Sequence, residues 1–197
     1  MGDIYINIPD EELIRGCLTH NDEKYFSMIY KKYFGKMYHV CKRYAINKEE
    51  AEDLAQEGFI IILKNLKKFE FKGSFEGWMR RIMVNNAINY IKSKKKLKFI
   101  ESIDDGIPIP DEDSLPVSND EIKNCISSES LMNLISNLPP VYKMIFNMYA
   151  IDGYSHKDIA DSLGIQESTS RSNLAKARII LKKSVEDILI KERASYA

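Results

Sequence analysis

The chain has 197 residues, 44% hydrophobic and 29% charged, the composition of a globular protein of one domain or two small ones. Lys plus Arg and Asp plus Glu each number 29, so the formal net charge is zero, and the longest apolar run, Phe59 to Leu63, falls far short of the roughly 18 residues of a membrane span. Cys17, Cys41 and Cys125 are odd in number and isolated, and His20, His39 and His156 are scattered. That pattern argues against a disulfide framework or metal-ligand spacing, and no phosphate loop, dinucleotide fingerprint or nucleophile elbow appears. The expectation is a protein without metal, cofactor or catalysis of its own.

The start, MGDIYINIPD, lacks the basic and apolar segments of a signal peptide, which predicts a cytoplasmic location without stable membrane insertion. A short helix is expected in DEELIRGCL, a long one from Asp22 to about Ala45, a third from Lys48 to about Leu66 and a fourth from Phe75 to about Lys96. Asn21 and Asn47 fit N-caps, each followed by acidic residues that suit a helix N-terminus. In the second helix Phe26, Ile29, Tyr30, Tyr33, Phe34, Met37, Tyr38 and Cys41 recur at steps of three and four, an amphipathic stripe best explained as core.

The fourth helix contains VNNAIN, Val84 to Asn89, where three asparagines each cost roughly 0.5 kcal/mol of helix propensity relative to Ala. Arg81, Asn85, Asn89 and Lys92 fall at steps of four, four and three, one polar stripe expected opposite an apolar face of Trp78, Ile82 and Ile91, with Asn86 nearer the flank. Amides that donate and accept at base edges, beside cations that hold phosphates, suit an opened nucleic-acid strand. A tolerated polar surface is the plainer alternative.

Charge is segregated along the chain. From Lys64 to Lys98 there are eleven Lys or Arg against Glu70 and Glu76; from Ile100 to Ile122 there are eight carboxylates and no base; from Ser168 to Lys183 the chain is basic again without an acid. Two basic blocks thus flank an acidic segment with three prolines, the composition of an extended, flexible linker. The predicted fold class is all-α: two small helical domains, residues 1–99 and 123–197, joined by an acidic linker at 100–122.

After the linker, EIKNCISSESLMNLISNL reads as helix, Pro139 and Pro140 restart the chain in a new first turn, and VYKMIFNMYAI continues as an apolar helix. YSHKDIADSLGIQESTSRSNLAKARIIL then carries a helix-turn-helix pattern. Ser155 and Asp158 form a capping box, Ile159, Ala160 and Leu163 face inward, Gly164 takes a left-handed turn position, and Ile165 plugs the turn. The second helix starts near Glu167 with Leu174, Ala177 and Leu181 inward. Ser168, Thr169, Arg171, Ser172, Asn173 and Lys176 are expected on its outer face, the mixture of short hydrogen-bonders and cations that a major-groove reader needs.

From about Asp10 to Asp187 the chain resembles the extracytoplasmic-function (ECF) class of sigma-70 family RNA polymerase sigma factors, through AEDLAQEGFIIILKNLKKFEFKGSFEGWMRRIMVNNAINYIKSKKK and LPPVYKMIFNMYAIDGYSHKDIADSLGIQESTSRSNLAKAR. The resemblance implies a factor that binds core RNA polymerase, reads the minus-10 and minus-35 promoter elements, assists melting and leaves catalysis to the polymerase. The family's D-x-x-Q-E pattern falls on Asp53, Gln56 and Glu57, implying contact with the polymerase's clamp helices. Its W-L-x-x-I-x-x-N segment falls on Trp78, Met79, Ile82 and Asn85, with the loop Phe69 to Ser74 corresponding to its base-specificity loop. Minus-10 contacts are expected at Lys72, Ser74, Arg81, Asn85, Asn89 and Lys92, on melted DNA. Minus-35 contacts are expected at Ser168, Thr169, Arg171, Ser172, Asn173 and Lys176, on duplex. The length implies none of a housekeeping factor's extra domains, a specialised regulon and an anti-sigma factor as a candidate partner. The acidic linker is expected to thread the polymerase channel later filled by RNA, or to serve as a solvated spacer. Three positions depart from the family pattern: Ser170 for an apolar Val, Asn173 for Arg, and Gly58 for a β-branched residue. The rival readings are a stand-alone helix-turn-helix regulator of duplex DNA, for which the Asn stripe has no use, and a helical protein-interaction adaptor.

Overall fold

The computed structural model describes residues 7–20, 23–93 and 127–195, with the side chains of His20 and of 191–195 outside that description. The chain divides into two compact units, Met1–Lys95 and Lys96–Ala197. All regular elements among the described residues are helical. The acidic segment 100–122, Lys94, Lys95, Lys96, Lys98, the Asn21 cap and Cys125 lie outside the described residues.

In the first unit, α1 (Asp10–His20), α2 (Glu23–Lys42), α3 (Lys48–Asn65) and α4 (Phe75–Ser93) surround a core to which every helix contributes, with α2 packed against the other three. A 3₁₀ turn, Leu66–Lys68, follows α3. Asn47 caps α3 as expected: its backbone is extended and its side-chain oxygen accepts from the Glu50 N–H at 2.8 Å. The α2 stripe is core at Ile29, Tyr33, Met37 and Cys41, and the half-buried Tyr30 and Phe34 pack their rings on Phe59 of α3 at 4.7 and 6.3 Å. Burial pushes the Cys41 thiol up to about 12, so it stays an inert core group at neutral pH.

Two polar ties add to this packing. The Asp10 carboxylate accepts from Tyr33 Oη at 2.7 Å and from Lys32 Nζ at 2.9 Å, joining the start of α1 to α2. Lys36 of α2 donates to Glu76 at 2.6 Å, and Arg80 approaches the same carboxylate at 3.3 Å. The Lys36 hydrogen bond, more than any other cause, holds the Glu76 carboxyl below its usual range, and the pair tethers the first turn of α4 to α2.

The buried face of α4 differs from the expected one. Phe75, Met79, Met83, Val84, Asn86, Ala87 and Ile88 face the core, whereas Trp78, Ile82 and Ile91 are half-buried on its flank. Asn86 is structural, donating its amide to the Leu54 carbonyl of α3 at 3.2 Å. Gly58 explains its own departure from the family pattern: a Cβ there would run into the Met83 thioether, so the bare backbone of α3 is what lets Met83 seat.

The second unit is built around α8 (Glu167–Ser195), against which α5 (Ser128–Ser136), α6 (Pro140–Phe146) and α7 (His156–Leu163) pack. Ile135, Leu138, Tyr142, Ala177 and Leu181 form its buried cluster. Pro139 and Pro140 begin α6 as anticipated, but the helix does not run on regularly: Asn147–Ile151 widens into a π turn. Both arms of the Ser155–Asp158 capping box form, and Gly164 closes α7 at φ 72°.

Gly58→Val should therefore overpack the α3–α4 contact and cost about 1–3 kcal/mol of stability. Trp78, the sole tryptophan, reports urea unfolding of this unit. Adding Met83→Ala to Gly58→Val should recover part of the loss.

Candidate polymerase and promoter surfaces

On α3 the residues Asp53, Gln56 and Glu57 are all exposed on one side of the helix, while Leu54, Ala55, Gly58 and Phe59 turn inward. The same side continues through two apolar residues not singled out from the sequence, Ile60 at 53% and Leu63 at 47% exposure. They sit inside the run FIIIL; Ile60 falls four residues after Gln56 and three after Glu57, and Leu63 seven after Gln56, the helical spacing that places both outside. An acidic and amide patch that grades into exposed aliphatic surface can form both charge-assisted and apolar contacts with another protein.

On α4, Arg81, Asn85, Asn89 and Lys92 are all exposed, and the helical period sets them opposite Met79 and Met83. This brings the four residues of the polar stripe together and separates Asn85, which faces out, from Asn86, which faces in. The loop before α4 supplies the other two expected residues. Lys72 is exposed and ion-paired with Glu70 at 2.8 Å, and Ser74 Oγ accepts from the Gly77 N–H at 3.2 Å, so Ser74 also caps α4. Trp78 joins an aromatic group, its ring 5.5 Å from Phe69 and 5.8 Å from Phe75, in agreement with packing as its role.

Over its first turn and a half α8 keeps at the surface the residues expected on its outer face. Ser168 and Arg171 are exposed, and Thr169 and Ser172 half-exposed, with Arg171 paired to Glu167 at 3.0 Å. Asn173 and Lys176, placed on the outer face from the sequence, are buried, at 5% and 6% exposure. The physical reason is that α6 and α7 both pack on α8, which widens its buried sector from the line of Ser170, Leu174, Ala177 and Leu181 to the neighbouring Asn173 and Lys176. An outer face counted from one apolar line is too broad there.

Ser170 is fully buried and lies 2.9 Å from Nδ1 of His156, the first residue of α7. The imidazole also stacks on Tyr149 of the π turn at 4.5 Å, and the Arg178 guanidinium lies 6.0 Å from that tyrosine ring. A polar residue where an apolar one is usual has thus found a polar partner in the neighbouring helix, fixing the angle between the two helices of the motif. Burial, reinforced by Arg171 and Arg178 and opposed by Glu167, lowers the His156 pKa below its ordinary value.

Among the described residues no cluster of three or more His, Cys, Asp or Glu could hold a metal, and no helix is long and apolar enough to cross a membrane.

Comparison with known proteins gives two family matches, Sigma-70 region 2 over residues 29–97 and Sigma-70 region 4 over residues 128–181. The chain is 29% identical over 174 residues to the ECF RNA polymerase sigma factor SigW of Bacillus subtilis, covering 85% of this chain and 92% of that protein. It is 24% identical over 190 residues to the ECF RNA polymerase sigma-E factor of Haemophilus influenzae, covering 92% and 98%. SigE of Mycolicibacterium smegmatis is 25% identical over 167 residues, 85% of this chain, which spans 62% of that relative's length. Among solved structures, the sigma factor RpoE of Bartonella quintana, in complex with the anti-sigma factor NepR, aligns at a TM-score of 0.49 and 17% identity, over 82% of this chain and 96% of that one.

Because the folded His156 binds its proton less readily than an unfolded one, the unfolded state takes up protons first as pH falls. The second unit should be most stable above the ordinary histidine pKa of about 6.5 and lose stability as pH drops from there toward the lowered folded value. Thermal melting from pH 8 to 5 should show this slope, and His156→Gln should flatten it.

Proposed function

Since the chain belongs to the sigma-70 family, as a sigma factor of the ECF class that directs promoter-specific transcription initiation, we propose how its surfaces divide that work. The Asp53–Gln56–Glu57 side of α3, extended by Ile60 and Leu63, docks on core RNA polymerase. The α4 stripe of Arg81, Asn85, Asn89 and Lys92, with Lys72 and Ser74 from the loop, holds the melted minus-10 strand. Ser168, Thr169, Arg171 and Ser172 at the start of α8 read the minus-35 duplex, with Asn173 and Lys176 supporting that helix from its packed side.

One observation carries this reading above the others: four residues able to contact bases and phosphates stay exposed along α4, directly opposite its core face, while the neighbouring Asn86 is spent on a structural hydrogen bond. Asn amides at a fixed step present donors and acceptors to base edges, and flanking cations hold the backbone. A stand-alone duplex regulator has no use for such a stripe.

The working domains are residues 1–99 and 123–197, with the acidic segment 100–122 joining them. The factor acts in the cytoplasm, contributes recognition and melting rather than catalysis, and has room for control by an anti-sigma factor. In the channel reading of the linker, its carboxylates occupy sites that RNA takes over as it grows.

Two experiments test the assignment. An Asp53→Arg, Gln56→Ala, Glu57→Arg variant should lose at least tenfold in co-elution with core polymerase while its unfolding free energy stays within about 0.5 kcal/mol of wild type, as exposed positions permit. Undiminished polymerase binding would remove α3 as the docking face. Asn85→Ala should reduce permanganate-reactive open complex at a duplex promoter far more than initial promoter engagement. The reverse pattern would take base capture away from α4.

A further inference from the structure

The imidazole of His156 is held from two sides at the start of α7. Nδ1 meets the buried Ser170 hydroxyl at 2.9 Å, and one face of the ring lies on Tyr149 at 4.5 Å and 23°. Nε2 makes no hydrogen bond among the described residues, and the ring is only half-buried. Two cations stand near it. Arg171 and Arg178, two helical turns apart on one side of α8, are both exposed, and both act on the ring's charge. The groups that face the imidazole are thus Glu167, Arg171 and Arg178 from α8 and Tyr149 from the π turn; its own helix adds the exposed Lys157 and the capping-box Asp158. Glu167, the one carboxylate α8 brings there, is paired with Arg171 at 3.0 Å.

A partner for the Ser170 hydroxyl need not be titratable, since an amide serves as well. A base set beside two arginines is destabilising once protonated, so structure alone gains nothing from this grouping, whereas an anion gains from all of it. In a helix-turn-helix the first helix crosses the DNA backbone while the second enters the groove, which brings a phosphate toward the start of α7. That phosphate offsets the charge of Arg171 and Arg178 and favours a proton on the ring beside them. Protonation leaves the Ser170 contact intact, because a hydroxyl can accept from an imidazolium Nδ1–H as well as donate to a neutral ring nitrogen. Resting on the assignment of α8 to the minus-35 duplex, we propose that His156 is a further promoter-binding residue: as the duplex docks, its ring takes one proton from solvent, and the imidazolium holds a backbone phosphate through Nε2–H. Because the bound state then holds the proton more tightly than the free protein, minus-35 affinity rises as pH falls through the bound-state pKa and levels off below that of the free protein. The contact is to the backbone, so base preference stays with the residues at the start of α8.

The test uses the full chain bound to core polymerase, titrated with a duplex carrying the minus-35 element. Calorimetry in two buffers of different ionisation enthalpy counts the protons absorbed, and wild type should take up as much as one near the ordinary histidine pKa of about 6.5. Its affinity should rise from about pH 8 to about pH 6, by at most about tenfold per pH unit, the limit for one proton. Over the same range its salt dependence should steepen by about one phosphate contact. His156→Gln, whose amide can still meet Ser170 and whose fold thermal melting checks, should show neither the uptake nor the steepening and should keep wild-type base preference. No uptake by wild type, or equal uptake by a folded His156→Gln, overturns the proposal, and the minus-35 assignment stands apart from it if Arg171→Ala still weakens binding to the cognate element. If wild type and Arg171→Ala bind cognate and scrambled duplexes alike, the assignment falls and the proposal falls with it.

Discussion

The rotation of α4 about its own axis is the constraint on which the first unit depends. It is set where Met79 and Met83 enter the core and where Asn86 donates to the Leu54 carbonyl. Gly58 makes the seat possible, since any side chain there would occupy the space of the Met83 thioether. Once those contacts are made, the helical period leaves Arg81, Asn85, Asn89 and Lys92 no option but to face outward. The Lys36–Glu76 pair and the Ser74 cap then fix the first turn of the same helix, and with it the end of the loop that carries Lys72.

The second unit solves the equivalent problem for α8 by different means. Leu174, Ala177 and Leu181 fix the core side of the helix, and the buried Ser170 on the same line meets His156 at the start of α7. A hydroxyl inside a core costs stability unless it is hydrogen-bonded, so this pairing is needed once Ser stands at position 170. It also makes the motif sensitive to protonation in a way that an apolar contact would not be.

Local features were legible in the sequence because their causes are local. Asn47, the Ser155–Asp158 box and the left-handed Gly164 each depend on a few neighbouring residues, and each forms as read. The exposure of Asp53, Gln56 and Glu57 and of the α4 stripe was legible for a related reason, the fixed helical step. The core face of α4 was legible but misread: the helical step already places Met79 and Met83 opposite the polar stripe and Trp78 and Ile82 on its flank, and the packing against α2 and α3 follows that step. What the sequence left ambiguous depends on what packs from outside. Asn173 and Lys176 looked exposed because the period of α8 alone does not reveal that two helices pack on it.

The central claim is that two separate surfaces, one on each unit, act together on a promoter through the polymerase. Run-off transcription with purified core polymerase, the full chain and a template carrying both cognate elements tests it most directly. The account predicts initiation from one start site that requires the protein and falls sharply when either element is scrambled, with the minus-10 requirement relieved in part by a pre-melted template. Tight, specific binding of the protein alone to duplex DNA, with no initiation when core polymerase is supplied, would contradict it.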